Sequence, residues 1–272
     1  MIKEISSLQN ELVREVIQLQ EKSRSRKLKR RFVIEGLREI LLSLEGGFSL
    51  THILYCEEII SLTEIEELIK IQTSSGTEIV KISLKVYQKL AHRKTTEGVV
   101  AIAKYKELNI RDLTLSEKPL ILVAEAPEKP GNIGALLRTA DAAHLDAVII
   151  ANPVTDLYNP NVIRSSVGCV FTTQIAVGSS EEALDFLKER GINIYTAVLA
   201  EDSKSYQFMD FKESSAIVVG TEATGLSEAW IENSSQHMMI PMQGKIDSLN
   251  VSVSAAILIF EAKRQREFKL PQ

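Results

Sequence analysis

Twice along this chain, short apolar runs of strand length alternate with longer runs of helical period, and a polar stretch from Lys106 to Lys118 separates the two series. Alternation of this kind restricts the fold to layered α/β architectures, in which helices cover a mostly parallel sheet on both faces. In the first series, Glu11 to Gln20 reads as a helix, Arg31 to Ile34 as a strand, Leu37 to Leu44 as a helix and His52 to Cys56 as a strand. Leu62 to Ile71 and Leu84 to Leu90 have helical spacing, and Glu78 to Ile82 and Val99 to Ala103 have strand character. Asn109, Asp112 and Ser116 then break any sustained period, so 1–105 is expected to be one domain, 106–118 a linker and 119–272 a second domain. The second series predicts strands at Leu120 to Ala124, Ala147 to Ala151, Thr173 to Val177, Ile192 to Leu199, Ala216 to Gly220 and His237 to Met242. Helices are expected between them and at the end, over Val251 to Arg266.

At 272 residues, with 44% hydrophobic and 25% charged content, the chain can bury a core in each of two domains. No apolar stretch approaches the roughly 20 residues of a membrane span, and Met1 to Ser7 lacks the basic and apolar regions of a signal peptide. A cytoplasmic protein without a membrane partner is expected. Cys56 and Cys169 stand far apart in apolar contexts, and neither they nor His52, His92, His144 and His237 have metal-ligand spacing. No metal is expected.

The net charge of −4 is unevenly spread: residues 1–110 sum to +3 and the remainder to −7. Lys22, Arg24, Arg26, Lys27, Lys29, Arg30 and Arg31 put seven cations into ten positions, interleaved with Ser23 and Ser25. A solvated helix face is one reading of such a run. Contact with the phosphates of a nucleic acid is the other, favoured by its setting in an acidic protein.

In a parallel sheet, ligands sit at the carboxyl ends of strands, and three junctions there carry unusual residues. Lys129-Pro-Gly-Asn-Ile-Gly-Ala-Leu-Leu-Arg-Thr-Ala140 opens a helix, and Val219-Gly-Thr-Glu-Ala-Thr-Gly-Leu-Ser227 ends a strand. Ile240-Pro-Met-Gln-Gly-Lys-Ile-Asp-Ser-Leu-Asn-Val-Ser-Val-Ser254 places Ser248, Asn250, Ser252 and Ser254 before or within the start of the apolar run from Ala255 to Phe260. Polar side chains buried without hydrogen bonds cost about 1–3 kcal/mol each. Helix capping explains one or two of the four; the others ask for different partners. No strand leads into a G-x-G-x-x-G or P-loop motif, which disfavours dinucleotides and nucleoside triphosphates.

The order N-x-G-x-x-x-R, G-x-E-x-x-G, then I-P-M and S-L-N-V-S resembles the SpoU-type (TrmH-family) RNA ribose 2′-O-methyltransferases. Tyr158-Asn-Pro-Asn-Val-Ile-Arg-Ser-Ser-Val-Gly-Cys-Val-Phe171 is similar to a further segment of that family. Ile5 to Asn10, the basic run, Phe32 to Gly36 and Gly98 to Ala101 are similar to its small ribosomal-protein-like RNA-binding domain, so the resemblance spans nearly the whole chain. It implies an N-terminal α/β RNA-binding domain and a C-terminal α/β domain with a mostly parallel sheet and a C-terminal trefoil knot. It also implies S-adenosylmethionine as methyl donor, a ribose 2′-hydroxyl of RNA as acceptor, and a homodimer paired through the knotted domain. Ribosomal RNA is the expected substrate, with transfer RNA second; DNA is not expected.

Carried over position by position, the resemblance places catalytic roles on Asn132, Arg138, Glu222, Ser248 and Asn250, and cofactor contacts on Gly220, Ile240 and Leu249. RNA contacts fall on the seven cations from Lys22 to Arg31 and on Arg164. Arg138 is expected to bind an RNA phosphate and stabilise the developing oxyanion rather than act as a base, since a guanidinium pKa lies above about 12. Asn132, Ser248 and Asn250 would position the hydroxyl and Arg138, and Glu222 would orient Asn132 or Arg138 and add negative potential near the sulfonium. Ser252 and Ser254 are expected to pack and cap the last helix. Lys129 departs from the Asp usual in the family at that position. A non-catalytic RNA-binding protein and an RNA base methyltransferase are the competing readings.

Overall fold

Local sequence signals set most of the helix starts. Asn10 accepts from the Leu12 N–H at 2.9 Å, Ser83 caps a helix through the Val86 N–H, and Ser179 with Glu182 forms a reciprocal capping box. The computed structural model describes residues 2–70, 76–92, 97–221 and 224–268. Its elements begin β1 (Lys3–Ile5), α1 (Glu11–Glu21), α2 (Ser23–Lys29), β2 (Arg31–Glu35), α3 (Leu37–Glu45), β3 (Leu50–Tyr55), α4 (Leu62–Lys70), β4 (Glu78–Ile82), α5 (Leu84–Leu90) and β5 (Val99–Lys104). There follow β6 (Leu120–Glu125), α6 (Pro130–Ala142), β7 (Ala147–Ala151), α7 (Pro160–Ser165), α8 (Cys169–Thr172), β8 (Ile175–Gly178) and α9 (Ser180–Glu189). The chain closes with β9 (Asn193–Ala197), β10 (Lys204–Ser205), β11 (Ser215–Val219), α10 (Glu228–Glu232), β12 (Gln236–Met239) and α11 (Val251–Gln265).

These elements form two units, Met1–Glu107 with Asp156–Thr172, and Leu108–Thr155 with Thr173–Gln272. The first contains a mixed sheet of order β1-β4-β3-β5-β2, in which β5 runs antiparallel to β2 and β3. Leu12, Val13, Val16 and Leu19 of α1 recur on one helical face and join Val33, Leu54, Val80 and Val100 in its core. Full burial of an aliphatic side chain of this size contributes about 1.5–3 kcal/mol.

The segment 156–172 belongs to this first unit, although the sequence series places it inside the second. Tyr158 stacks on Phe32 with ring centroids 4.3 Å apart, and Phe171 meets Phe48 edge-on at 5.1 Å. Asp156 accepts from Arg26 Nε at 2.6 Å, with both side chains almost fully buried.

The second unit is built on a sheet of order β10-β12-β9-β11-β6-β7-β8, with every described pairing parallel. The near-continuous apolar strands that suggested it are buried throughout: β6, β7 and β11 have no exposed residue. The stretch expected as a linker is in part core, since Ile110 and Leu113 pack into this unit beside Ile121, Ile149 and Phe186. Among the described residues, no helix is long and apolar enough to cross a membrane, and no cluster of His, Cys, Asp or Glu could hold a metal ion.

Candidate active site

From β6 the strand order runs to β7 and β8 on one side and to β11 and β9 on the other, so the carboxyl ends of β6 and β11 flank a change of direction. Crevices at such points are where open α/β sheets bind ligands. A cleft of ≈ 110 Å³ opens there, lined among others by Ala124, Glu125, Asn132, Gly220, Thr221 and Val251. Three stretches far apart in sequence thus supply its walls.

The β11 wall is a tight loop. Thr221 N–H donates to the Gly225 carbonyl at 3.0 Å and Gly225 N–H to the Thr221 carbonyl at 3.1 Å. A Cβ on Gly220 would lie 2.2 Å from the Gly225 carbonyl oxygen, so only glycine permits the two backbones to meet. Glu222, expected to be catalytic, lies outside the described residues.

The opposite wall is the start of α6, with Pro130 at its first position, where a missing N–H costs nothing. Asn132 is half-buried one turn in, and its Oδ1 accepts from Asn250 Nδ2 at 3.1 Å. Asn250 is also the N-cap of α11, accepting from the Ser252 N–H at 3.0 Å and from the Ser252 hydroxyl at 2.5 Å. The cap is therefore Asn250, whereas Ser252 and Ser254 were expected to fill that role. The structure brings Asn132, Asn250 and Gly220 to one place. Arg138 is exposed on α6, ~9 Å beyond Asn132 along the axis at ~1.5 Å per residue. Among the described residues its guanidinium has no acidic partner. Ser248 is exposed and its hydroxyl donates to Asp247 at 3.2 Å instead of reaching Asn132. Ile240 and Leu249 are half-buried at the two ends of the loop between β12 and α11.

Glu125, at the end of β6, went unnoticed in the sequence because it closes an apolar strand and matches no motif. Only 6% exposed, it accepts from the hydroxyls of Ser180 at 2.8 Å and Ser227 at 2.7 Å, and from the Ser227 N–H at 2.8 Å. Ser180 in turn accepts from Trp230 Nε1 and Asn152 Nδ2, both at 2.9 Å.

The basic run divides. Lys22, Arg24 and Lys27 are exposed and have no acidic partner among the described residues. Lys29 and Arg31 share Glu15, at 3.2 and 3.6 Å, and Arg30 pairs with Glu107. Arg26 corrects the expectation: it is 2% exposed, bonded to Asp156 and to the carbonyls of Leu19 and Gln20, and so cannot reach an RNA phosphate. Around this pair, burial first and then the Asp156 charge push the Tyr105 hydroxyl far above its ordinary range. Burial pushes Tyr158 up to about 12. Arg164 donates to Asn161 and lines a broad cleft of the first unit, ≈ 650 Å³, together with Arg38, Lys89, His92, Glu35 and Glu97.

Residues 119–260 match the model of the SpoU rRNA Methylase family, and residues 10–101 match that of the MRM3-like substrate binding domain. The chain belongs to the SpoU rRNA methylase family. Among similar proteins is the 23S rRNA (guanosine(2553)-2′-O)-methyltransferase RlmP of Bacillus subtilis, 28% identical over 96% of this chain and 100% of its own. A crystal structure of an RNA 2′-O ribose methyltransferase is 38% identical, covers 97% of this chain and 99% of its own, and superposes with a TM-score of 0.80. The SpoU methyltransferase AviRb from Streptomyces viridochromogenes, solved in complex with the cofactor AdoMet, is 26% identical over 95% of this chain and 98% of its own, with a TM-score of 0.85.

Residues of this chain fit such a cofactor. The Gly220 and Gly225 backbones meet closely, the cleft beside them opens at strand ends with Glu128 and Lys129 in its lining, and Glu125 adds a buried anion suited to a cationic ligand.

Proposed function

We propose that this chain methylates a ribose 2′-hydroxyl in ribosomal RNA, using S-adenosylmethionine bound at the carboxyl ends of β6 and β11. The observation that carries this reading is the Asn250–Asn132 hydrogen bond at 3.1 Å, which joins the S-L-N-V-S and N-x-G-x-x-x-R motifs beside the cleft that Gly220 lines. Gly220, Ile240 and Leu249 would hold the cofactor, largely through backbone groups. When bound, it supplies an electrophilic methyl group on a cationic sulfonium.

The chain's own residues then have to make a poor nucleophile reactive. Arg138, exposed and without an acidic partner among the described residues, has its fork of donors available for an RNA phosphate and for the oxygen that gains negative charge. Asn132 and Asn250 hold each other in a fixed orientation, which sets where their amide groups would meet the hydroxyl. The proton leaves through a neighbouring group or water, because the guanidinium does not give up its own.

The first unit is proposed to capture the RNA through Lys22, Arg24 and Lys27, with Lys29, Arg30, Arg31 and Arg164 at the margins. Similarity to RlmP over the whole chain, first unit included, supports ribosomal over transfer RNA. A homodimer belongs to the same proposal, supported by the exposed apolar residues Val253 and Phe260, two turns apart on α11. So does the threaded C-terminal segment: α11 packs on α6 and β11.

The test is methyl transfer to undermodified total RNA, followed by nuclease digestion and nucleoside analysis. A 2′-O-methylnucleoside is expected. A base-methylated product, or no transfer with cofactor bound, would sink the reading.

A further inference from the structure

A carboxylate buried beside a cleft needs a reason, and Glu125 forms no ion pair among the described residues, although Lys129 lines the same cleft. Every group bonded to it is a donor: the Ser180 hydroxyl, the Ser227 hydroxyl and the Ser227 N–H. The Ser180 hydroxyl has no choice of direction, because Trp230 Nε1 and Asn152 Nδ2 occupy its acceptor side. The Ser227 N–H is a donor by nature. An amide would set its NH2 group against the Ser180 hydroxyl or the Ser227 N–H, whereas a carboxylate accepts at every one of these contacts. The protein thus keeps a carboxylate, 6% exposed, among the residues that line the cleft with Gly220 and Asn132.

We propose that Glu125 is the counter-charge for the cationic methyl donor, selecting the sulfonium form over its neutral thioether product. This inference rests on the proposed function. It adds to that reading a residue, a physical basis for cofactor selectivity and a route to product release. An anion held by fixed donors in a water-poor site attracts a cation more strongly than the same charge at the surface. The attraction ends when methyl transfer leaves the sulfur neutral, so the spent cofactor is held less tightly than the fresh one. Glu125 acts here through charge, with no part in moving a proton.

The experiment is a calorimetric comparison of S-adenosylmethionine and S-adenosylhomocysteine binding to the full-length protein without RNA, in the wild type and in Glu125→Gln and Ser227→Ala. The wild type is expected to prefer the sulfonium by about tenfold or more, the scale of a charge pair in a partly desolvated site. Glu125→Gln is expected to erase that preference, weakening the sulfonium ligand while changing the thioether less than about threefold. Ser227→Ala, which disturbs the same network but keeps the charge, is expected to retain it. Equal loss of both ligands in Glu125→Gln, or an unchanged ratio, overturns the proposal. If Glu125→Gln does not fold, the wild type still decides, because equal affinity for the two ligands overturns it without any variant. A wild type that binds neither ligand refutes instead the cofactor reading on which the proposal stands.

Discussion

Asn250 ties two motifs together with one side chain: its Nδ2 donates to Asn132 Oδ1 at 3.1 Å across 118 residues of sequence, while its Oδ1 caps α11. The two duties separate by substitution. Asn250→Asp keeps the capping oxygen but loses the donor, and Asp caps helices about as well as Asn. Its thermal stability is expected to stay near wild type while methyl transfer drops about tenfold or more, the scale of a lost positioning contact at a reacting centre. Asn250→Ala loses both and is expected to be less stable by about 1 kcal/mol as well. Full turnover in Asn250→Asp would show that the bond to Asn132 serves only the fold.

Arg138 sets the second expectation. Being exposed and without an acidic partner among the described residues, it should be dispensable for folding. Arg138→Lys keeps the charge and removes the planar fork. Turnover is expected to fall by about two orders of magnitude, comparable to loss of one oxyanion donor, with an unchanged melting temperature. Retention of most turnover in a methyl-transfer assay would leave the guanidinium with no role beyond its charge.

The parallel sheet of the second unit was legible because its strands are apolar on both faces, and the helices beginning at Glu11 and Leu84 were legible from their apolar spacing. Three features were not. β1 spans three residues, too short for a period, and α2 has no apolar repeat, since its buried residue is the cation Arg26. The placement of 156–172 with the first unit depends on Tyr158 and Phe171 meeting Phe32 and Phe48, residues far away in sequence. At the site, motif spacing pointed to Asn132, Gly220 and Asn250. Glu125 was invisible because its meaning lies in donors contributed by Ser180 and Ser227.

Arg26 and its basic neighbours should respond in opposite ways. Removing one partner of a buried pair leaves the other charge uncompensated, which costs about 3–5 kcal/mol. Arg26→Ala, which strands Asp156, is therefore expected to lower the denaturation midpoint sharply. The triple variant Lys22→Gln, Arg24→Gln, Lys27→Gln alters exposed side chains and is expected to leave stability within about 0.5 kcal/mol of wild type. RNA binding should show the reverse ranking, with a flatter dependence of log K on log salt in the triple variant. An unchanged salt slope would mark the patch as a solvated face.

His237 makes the fold sensitive to pH. Its Nδ1 lies 2.8 Å from Asp202 Oδ1 and its Nε2 lies 3.1 Å from the Ile231 carbonyl, so only the doubly protonated ring donates to both. The hydrogen bond to Asp202 is the main cause holding the His237 pKa above 6.5, and the bond to His237 holds the Asp202 carboxyl below 3.8. A raised histidine pKa gives stability that is present in full below the unfolded value and is lost as pH rises through the folded one. A depressed carboxyl pKa gives stability that is lost as pH falls through its folded value. The pair should therefore contribute most between these limits, at about pH 5–6, and fade above neutrality. Melting temperatures of the wild type and His237→Gln, followed from acid to alkaline pH, are expected to differ most in that window and to converge above it. Because Asp202 is 70% exposed, added salt should shrink the difference. A gap that is constant with pH would mean that His237 contributes through packing rather than through its charge.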